Sequence, residues 1–220
     1  MFYKVIRVLV RGLVFLLNGR YHVVGKENLP DKPYILVAPH RTWWEPIFFA
    51  LVISPRDATF MAKKELFKNP ILRFILVHAH AFPVDREHPG PSVIKKPVKA
   101  LKKEGKVLIM FPSGTRYSED LKGGASLIAK LSKAPLVPFV YQGPLTFGGL
   151  LKHQRITIGV GPEIDFDFKA KLDEKQTKQV NEDMEKAWDK IDNEIDPSFE
   201  YIPPKRNINN YINKKDDISN

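Results

Sequence analysis

The chain has 220 residues, 35 Lys and Arg against 25 Asp and Glu, and no cysteine, which fits a single domain stable without cross-links and excludes disulfides, thiolate nucleophiles and Cys-ligated zinc. With 43% hydrophobic and 11% aromatic residues, a disordered polyelectrolyte is also excluded. Residues 1–168 hold 25 basic and 13 acidic side chains, so an anionic partner, whether nucleic acid, lipid surface or phosphorylated small molecule, should meet the first three quarters of the chain.

The first element, residues 1–19, is rich in Val, Leu, Ile and Phe but interrupted by Lys4, Arg7 and Arg11. At 100° per residue these cations fall within about 60° of one another, and the rest of the circumference is apolar. The uncharged stretch from Gly12 to Gly19 is far short of the roughly 20 residues a spanning helix needs. A helix of this pattern suits the interface of an anionic membrane, with the cations reaching headgroups; packing on the domain's own core is the alternative.

Short apolar runs follow at Tyr34–Ala38, Phe82–Val84, Val107–Phe111, Leu136–Tyr141 and Ile156–Val160. They lack polar alternation, as expected of strands covered on both faces. Helical patterns follow Trp43, Lys63, Lys96 and Lys122, and this alternation predicts an α/β domain with a largely parallel central sheet flanked by helices. The uncharged run Ala134–Leu151 is broken by Pro135, Pro138, Gly143 and Pro144, which argues for strand and loop rather than a membrane span. Near the C-terminus, Val180, Met184, Trp188, Ile191 and Ile195 form one stripe of a charged helix. The expected organisation is a membrane-association helix at 1–19, a catalytic domain at 20–168, a docked helix at 169–196 and a loosely held tail at 197–220.

Of the six histidines, His22, His88 and His153 lie in polar surroundings that suit a solvated surface. His78 and His80 could place two metal ligands on one strand face, but no third ligand sits nearby. His40 differs because it follows an apolar strand at a strand-to-helix turn, where open α/β sheets bind ligands. Glu45, five residues on, is placed so that one helical turn could bring its carboxylate beneath the imidazole, fixing the tautomer and leaving Nε2 free as a base. An ordinary structural pair is the competing explanation. Phe111-Pro112-Ser113-Gly114-Thr115-Arg116 offers backbone N–H groups and a guanidinium at another strand end, a cradle for a phosphate or oxyanion. Arg86 and Lys63 add cations at what should be the same sheet edge, so that a base stands beside a phosphate pocket.

Four segments in order resemble the blocks of the 1-acylglycerol-3-phosphate acyltransferase family of glycerolipid acyltransferases. His40 through Glu45 resembles the first block, H-x4-D. Ala81-Phe82-Pro83-Val84-Asp85-Arg86 resembles the second, an apolar strand ending in Arg. Phe111 to Arg116 resembles the third, F-P-E-G-T-R, and Leu136-Val137-Pro138-Phe139 the fourth. Glu45 replaces the usual Asp, and Ser113 the usual Glu. The resemblance implies that His40 is the catalytic base oriented by Glu45, that Arg86, Arg116 and Lys63 hold the substrate phosphate, and that Ser113, Gly114, Thr115 and Pro138 position the substrate.

It further implies acyl transfer from acyl-CoA or acyl carrier protein to lysophosphatidic acid at a phospholipid membrane surface, with the protein peripheral or monotopic on its cytoplasmic face. No metal, no separate cofactor and no nucleic-acid partner are expected. Another lysophospholipid acceptor, or a non-catalytic peripheral membrane module, are the alternatives raised by Glu45 and Ser113. The cluster Lys95, Lys96, Lys99, Lys102, Lys103 and Lys106 reads either as a solvated helix face or as a contact for headgroups or coenzyme A phosphates.

Overall fold

The computed structural model describes residues 2–85, 88, 90–113 and 121–201, with side chains from Val5 onward. Its centre is a seven-stranded sheet in the order β1-β7-β6-β2-β5-β3-β4. The strands are β1 His22–Val24, β2 Ile35–Val37, β3 Ala58–Lys63, β4 Ala81–Val84, β5 Val107–Met110, β6 Leu136–Gln142 and β7 Thr157–Val160. Every neighbouring pair is parallel except β6 with β7. The helices are α1 Phe2–Asn18, α2 Glu45–Val52, α3 Pro70–His78, α4 Ser92–Lys103, α5 Gly124–Ser132, α6 Phe147–Leu151 and α7 Glu174–Ile195.

The unalternating runs are explained by two cores, one on each sheet face. On one face, Leu36, Val107, Ile109 and Phe139 pack with Phe48, Phe49 and Val52 of α2, Leu150 of α6 and Val14 of α1. On the other, Ile35, Val37, Leu108 and Val140 meet Leu101 of α4, Ile128 of α5 and Val180, Met184, Trp188 and Ile191 of α7. β2, β5 and β6 are buried along their whole length, as strands covered on both sides must be apolar throughout. The expected α7 stripe faces this second core, and Trp188 Nε1 donates to the carbonyl of Val37 at 3.1 Å.

Three details differ from the sequence expectations. β1 and β3 have no counterpart among the expected strands, because β1 is only three residues long and β3, ending Phe-Met-Ala-Lys, is buried only over its first two residues. The helix expected after Lys96 starts at Ser92 and carries Pro97 within it. Lys63 is followed first by a 3₁₀ turn, Lys64–Lys68, and only then by α3, whose start is fixed by the Asn69 side chain accepting from the backbone N–H groups of Ile71 and Leu72.

α1 is oriented differently from the simple interfacial picture. Arg7 donates to the carbonyl of Pro55 at 2.9 Å, and buried Asn18 donates to the carbonyl of Gln154 at 3.1 Å. Its polar edge therefore grips the protein, while Val5, Val8, Leu9, Leu13, Phe15 and Leu16 are exposed. Among the described residues, no helix is long and apolar enough to cross a membrane.

Candidate active site

The parallel strands β6, β2, β5, β3 and β4 bring the described parts of the four sequence blocks to one edge of the sheet. Val37, the last residue of β2, is level with Met110 on β5 and Pro138 on β6; Lys63, the last residue of β3, is level with Val84 on β4. His40 emerges just past β2. Its ring stacks on Phe111, which leaves β5, with centroids 4.1 Å apart, so the first and third blocks meet directly.

Glu45 is fully buried. A helical turn does not bring it to His40, as the spacing alone had suggested. Glu45 is instead the first residue of α2, and residues 41–44 fold as a loop that turns its carboxylate back onto the chain. The backbone N–H of Arg41 donates to both carboxylate oxygens at 3.0 Å, and Oε2 lies 3.2 Å from His40 Nδ1. An ionised carboxylate only accepts, so Nδ1 carries the proton and Nε2 is left as the basic nitrogen. The N-terminus of α2 favours negative charge at this position.

The next residue closes the loop from the opposite side. Arg41 Nη1 donates to the carbonyl of Tyr141 at 2.8 Å and to Asp192 Oδ1 at 3.0 Å, while Nη2 binds Asp192 Oδ2 in a second, parallel contact. Asp192 stands near the end of α7 and also accepts from Gln142 Nε2 at 2.8 Å. Phe199 and Tyr201, within the stretch expected to be loose, lie 5.2 and 5.9 Å from the Arg41 guanidinium, and the Tyr201 hydroxyl is 3.4 Å from the carbonyl of His40. On the far side of the loop, Trp44 Nε1 donates to the Tyr141 hydroxyl at 3.0 Å, and that hydroxyl donates to the carbonyl of Pro144 at 3.1 Å. Burial, with the nearby Glu45 charge as a smaller contribution, holds the Tyr141 phenol far above its usual range, so it stays neutral. Sequence reasoning missed Arg41 and Asp192 because 151 positions separate them and Asp192 looks like any other acid on a charged helix.

The remaining expected site residues are placed as follows. Ser113 is buried beside Phe111 in sequence, and Pro138 is buried within β6. Lys63 stands half-exposed at the end of β3, 3.7 Å from Glu65. Arg86, Gly114, Thr115 and Arg116 lie outside the described residues. His78 and His80 do not share a strand face: His78 ends α3 and gives its Nδ1 proton to the carbonyl of Phe74 at 2.7 Å, while His80 occupies a left-handed turn with φ 60° before β4. Among the described residues, no group of three or more His, Cys, Asp or Glu could hold a metal ion. On α4, Lys95, Lys96, Lys99, Lys102 and Lys103 are exposed, but Lys106 lies beyond the helix and pairs with Glu104 at 2.9 Å.

With this geometry in hand, similarity to known proteins decides the family. A family model described as "Acyltransferase" matches residues 20–142, more than half of the chain. The chain belongs to the acyltransferase family. Within it, the chain is 43% identical to the 1-acyl-sn-glycerol-3-phosphate acyltransferase of Streptococcus pneumoniae, over 88% of this chain and 74% of that one. It is 41% identical to the enzyme of the same name from Bacillus subtilis, over 84% of this chain and 94% of that one. The crystal structure of the 1-acyl-sn-glycerophosphate acyltransferase PlsC from Thermotoga maritima shares the fold, with a TM-score of 0.64 over 90% of this chain and 81% of that one at 20% identity. The acyltransferase match contains His40, Glu45, Lys63, Ser113 and Pro138; Asp192, which clamps the histidine loop, lies beyond it.

Proposed function

We propose that this acyltransferase moves a fatty acyl group from an acyl thioester to the free hydroxyl of 1-acylglycerol-3-phosphate, lysophosphatidic acid, giving phosphatidic acid for phospholipid synthesis. The observation that carries the reading is the His40–Glu45 pair, a part-exposed imidazole backed by a buried carboxylate at the strand ends of a chain more than 40% identical to two enzymes named for this reaction. His40 Nε2 removes the hydroxyl proton as the oxygen attacks the thioester carbonyl. The tetrahedral intermediate collapses, the carbon–sulfur bond breaks, and the departing sulfur takes the proton back from the imidazolium. Glu45 keeps the proton on Nδ1 and stabilises the transient cation. The acyl group goes directly to the acceptor, so no side-chain nucleophile is required.

Arg86, Arg116 and Lys63 hold the acceptor phosphate, and Ser113, Gly114, Thr115 and Pro138 position the glycerol part. The donor is acyl-CoA or an acyl carrier protein thioester. The outward apolar side of α1 seats the protein on the cytoplasmic face of a phospholipid membrane, as a peripheral or monotopic protein.

The test is acyl transfer by the purified chain with lysophosphatidic acid and each donor in turn, read as phosphatidic acid by mass spectrometry. Product with one or both donors is expected. Product only from another lysophospholipid would move the acceptor assignment, the alternative that Ser113 raises. No product from any acceptor with either donor would leave a non-catalytic membrane module.

A further inference from the structure

α3 has no role in the chemistry above, and its surface does not match its composition. Its sequence, Pro-Ile-Leu-Arg-Phe-Ile-Leu-Val-His, is apolar around nearly the whole circumference, yet none of its residues is buried. Ile71 is 71% exposed and Phe74 54%, and Leu72, Ile75 and Val77 are also open. A helix that is apolar all round is ordinarily found inside a protein or a bilayer, and contiguous exposed apolar surface of this kind marks an interaction site.

Two further observations say what covers it. The first is charge. Lys68 leads into α3 and Arg73 lies within it, and no Asp or Glu occurs from Leu66 to Val84; Lys63 and Lys64, just before this stretch, are paired with Glu65 and Asp85. An apolar surface whose own charges, Lys68 and Arg73, are both cations matches the boundary between headgroups and acyl chains in an anionic leaflet, where each nearby Lys or Arg adds about 1 kcal/mol. The second is placement. The connections β2-α2-β3 and β3-α3-β4 step across the sheet in the same direction, so right-handed crossovers put α2 and α3 on the same face. α1 packs on that face as well, through Val14, and turns its own apolar side outward. Two helices far apart in sequence thus expose apolar side chains from one layer of the molecule.

We infer that α3 is a second membrane-docking element, inserting Ile71, Phe74 and Ile75 into an anionic phospholipid leaflet alongside α1. Resting on the proposed lipid-acyltransferase reading, this assigns the two-helix layer as the surface by which the enzyme meets the bilayer holding its lipid substrate.

The absence of native cysteine allows a direct test. Three single-cysteine variants of the full chain, Ile71→Cys on α3, Leu9→Cys on α1 and Lys178→Cys on α7, are labelled with an environment-sensitive fluorophore. They are then mixed with vesicles of phosphatidylcholine and phosphatidylglycerol. The labels at 71 and 9 should brighten, shift to the blue and be quenched by spin-labelled acyl chains, while the label at 178 stays in water. The double variant Ile71→Gln with Ile75→Gln, whose thermal unfolding should match the parent, should bind the same vesicles roughly tenfold more weakly. Omitting phosphatidylglycerol should weaken binding of the parent.

A response at 9 with silence at 71 overturns the inference, as does silence at both. A response at 71 that follows protein concentration without vesicles, with a doubled mass in light scattering, overturns it in favour of a second copy of this chain. Acyl transfer by the unlabelled chain to detergent-dispersed lysophosphatidic acid is read separately. A failed inference is thereby distinguished from a failed functional assignment.

Discussion

α7 turns Val180, Met184, Trp188 and Ile191 onto the sheet and most of its charges to water, whereas α1 and α3, on the opposite face, turn Leu9, Phe15, Ile71 and Phe74 outward. In the first layer the apolar residues of charged α7 are used in folding, whereas in the second α2 uses its own and α1 and α3 leave most of theirs at the surface. In the second, the surface side chains contribute little to the stability of the free protein and remain available for binding. The catalytic loop sits between the layers: Glu45 opens α2 on one side, and Asp192 reaches it from α7 on the other.

The largest effect that could break this contrast is expected at Trp188. Its replacement by Ala removes a buried indole and the hydrogen bond to Val37, and should cost about 3–5 kcal/mol of unfolding free energy in a denaturant titration. Ile71→Gln should change the same quantity by no more than about 0.5 kcal/mol. Similar losses from the two substitutions would mean that α3 is as much a part of the core as α7, and the contrast would be wrong.

Arg41 sharpens the comparison by joining the layers. Arg41→Ala leaves Asp192 without its guanidinium, a loss of about 2–3 kcal/mol because the pair is mostly but not wholly buried. Turnover should fall with it, because the side chain fixes the loop from which the Arg41 N–H holds both Glu45 oxygens. Arg41→Lys restores the charge without the two-pronged geometry, so it should recover stability more than turnover. If the two recover in parallel, the contact is structural only.

The smallest effect lies at His80, in the connection from α3 to β4. Burial, followed by the Lys106 charge, lowers its pKa below the ordinary 6.5. The unfolded chain therefore takes up this proton at higher pH than the folded one. The contribution is neutral well above pH 6.5 and destabilising as the pH falls through about 6.5 and below. His80→Asn keeps a residue that tolerates the left-handed turn. Unfolding titrations between about pH 8 and 5 should show a smaller loss of stability at the acid end for the variant; an equal loss would remove His80 as a source.

The legibility of the sequence follows the same division. Strands covered on both faces, such as β2, β5 and β6, announce themselves as unbroken apolar runs, and the α7 stripe is visible for the same reason. β1 is too short and β3 too little covered to leave such a pattern. His40 and Glu45 are readable because five residues confine them to one turn of chain, although a loop rather than a helix joins them. The Arg41–Asp192 contact is a product of tertiary folding and has no local signature. The outward apolar side of α1 was legible only in part: periodicity finds the polar stripe but cannot say that Arg7 and Asn18 grip the protein itself.

The central claim is that His40, oriented by Glu45, acts as the base in acyl transfer to the lysophosphatidic acid hydroxyl. Its most direct test is the turnover number of His40→Ala with saturating acceptor and donor, after circular dichroism and vesicle binding have shown the variant folded and membrane-competent. A loss of about 10²- to 10⁴-fold, with vesicle binding unchanged, is the result this mechanism predicts. Turnover within a few-fold of the parent would contradict it.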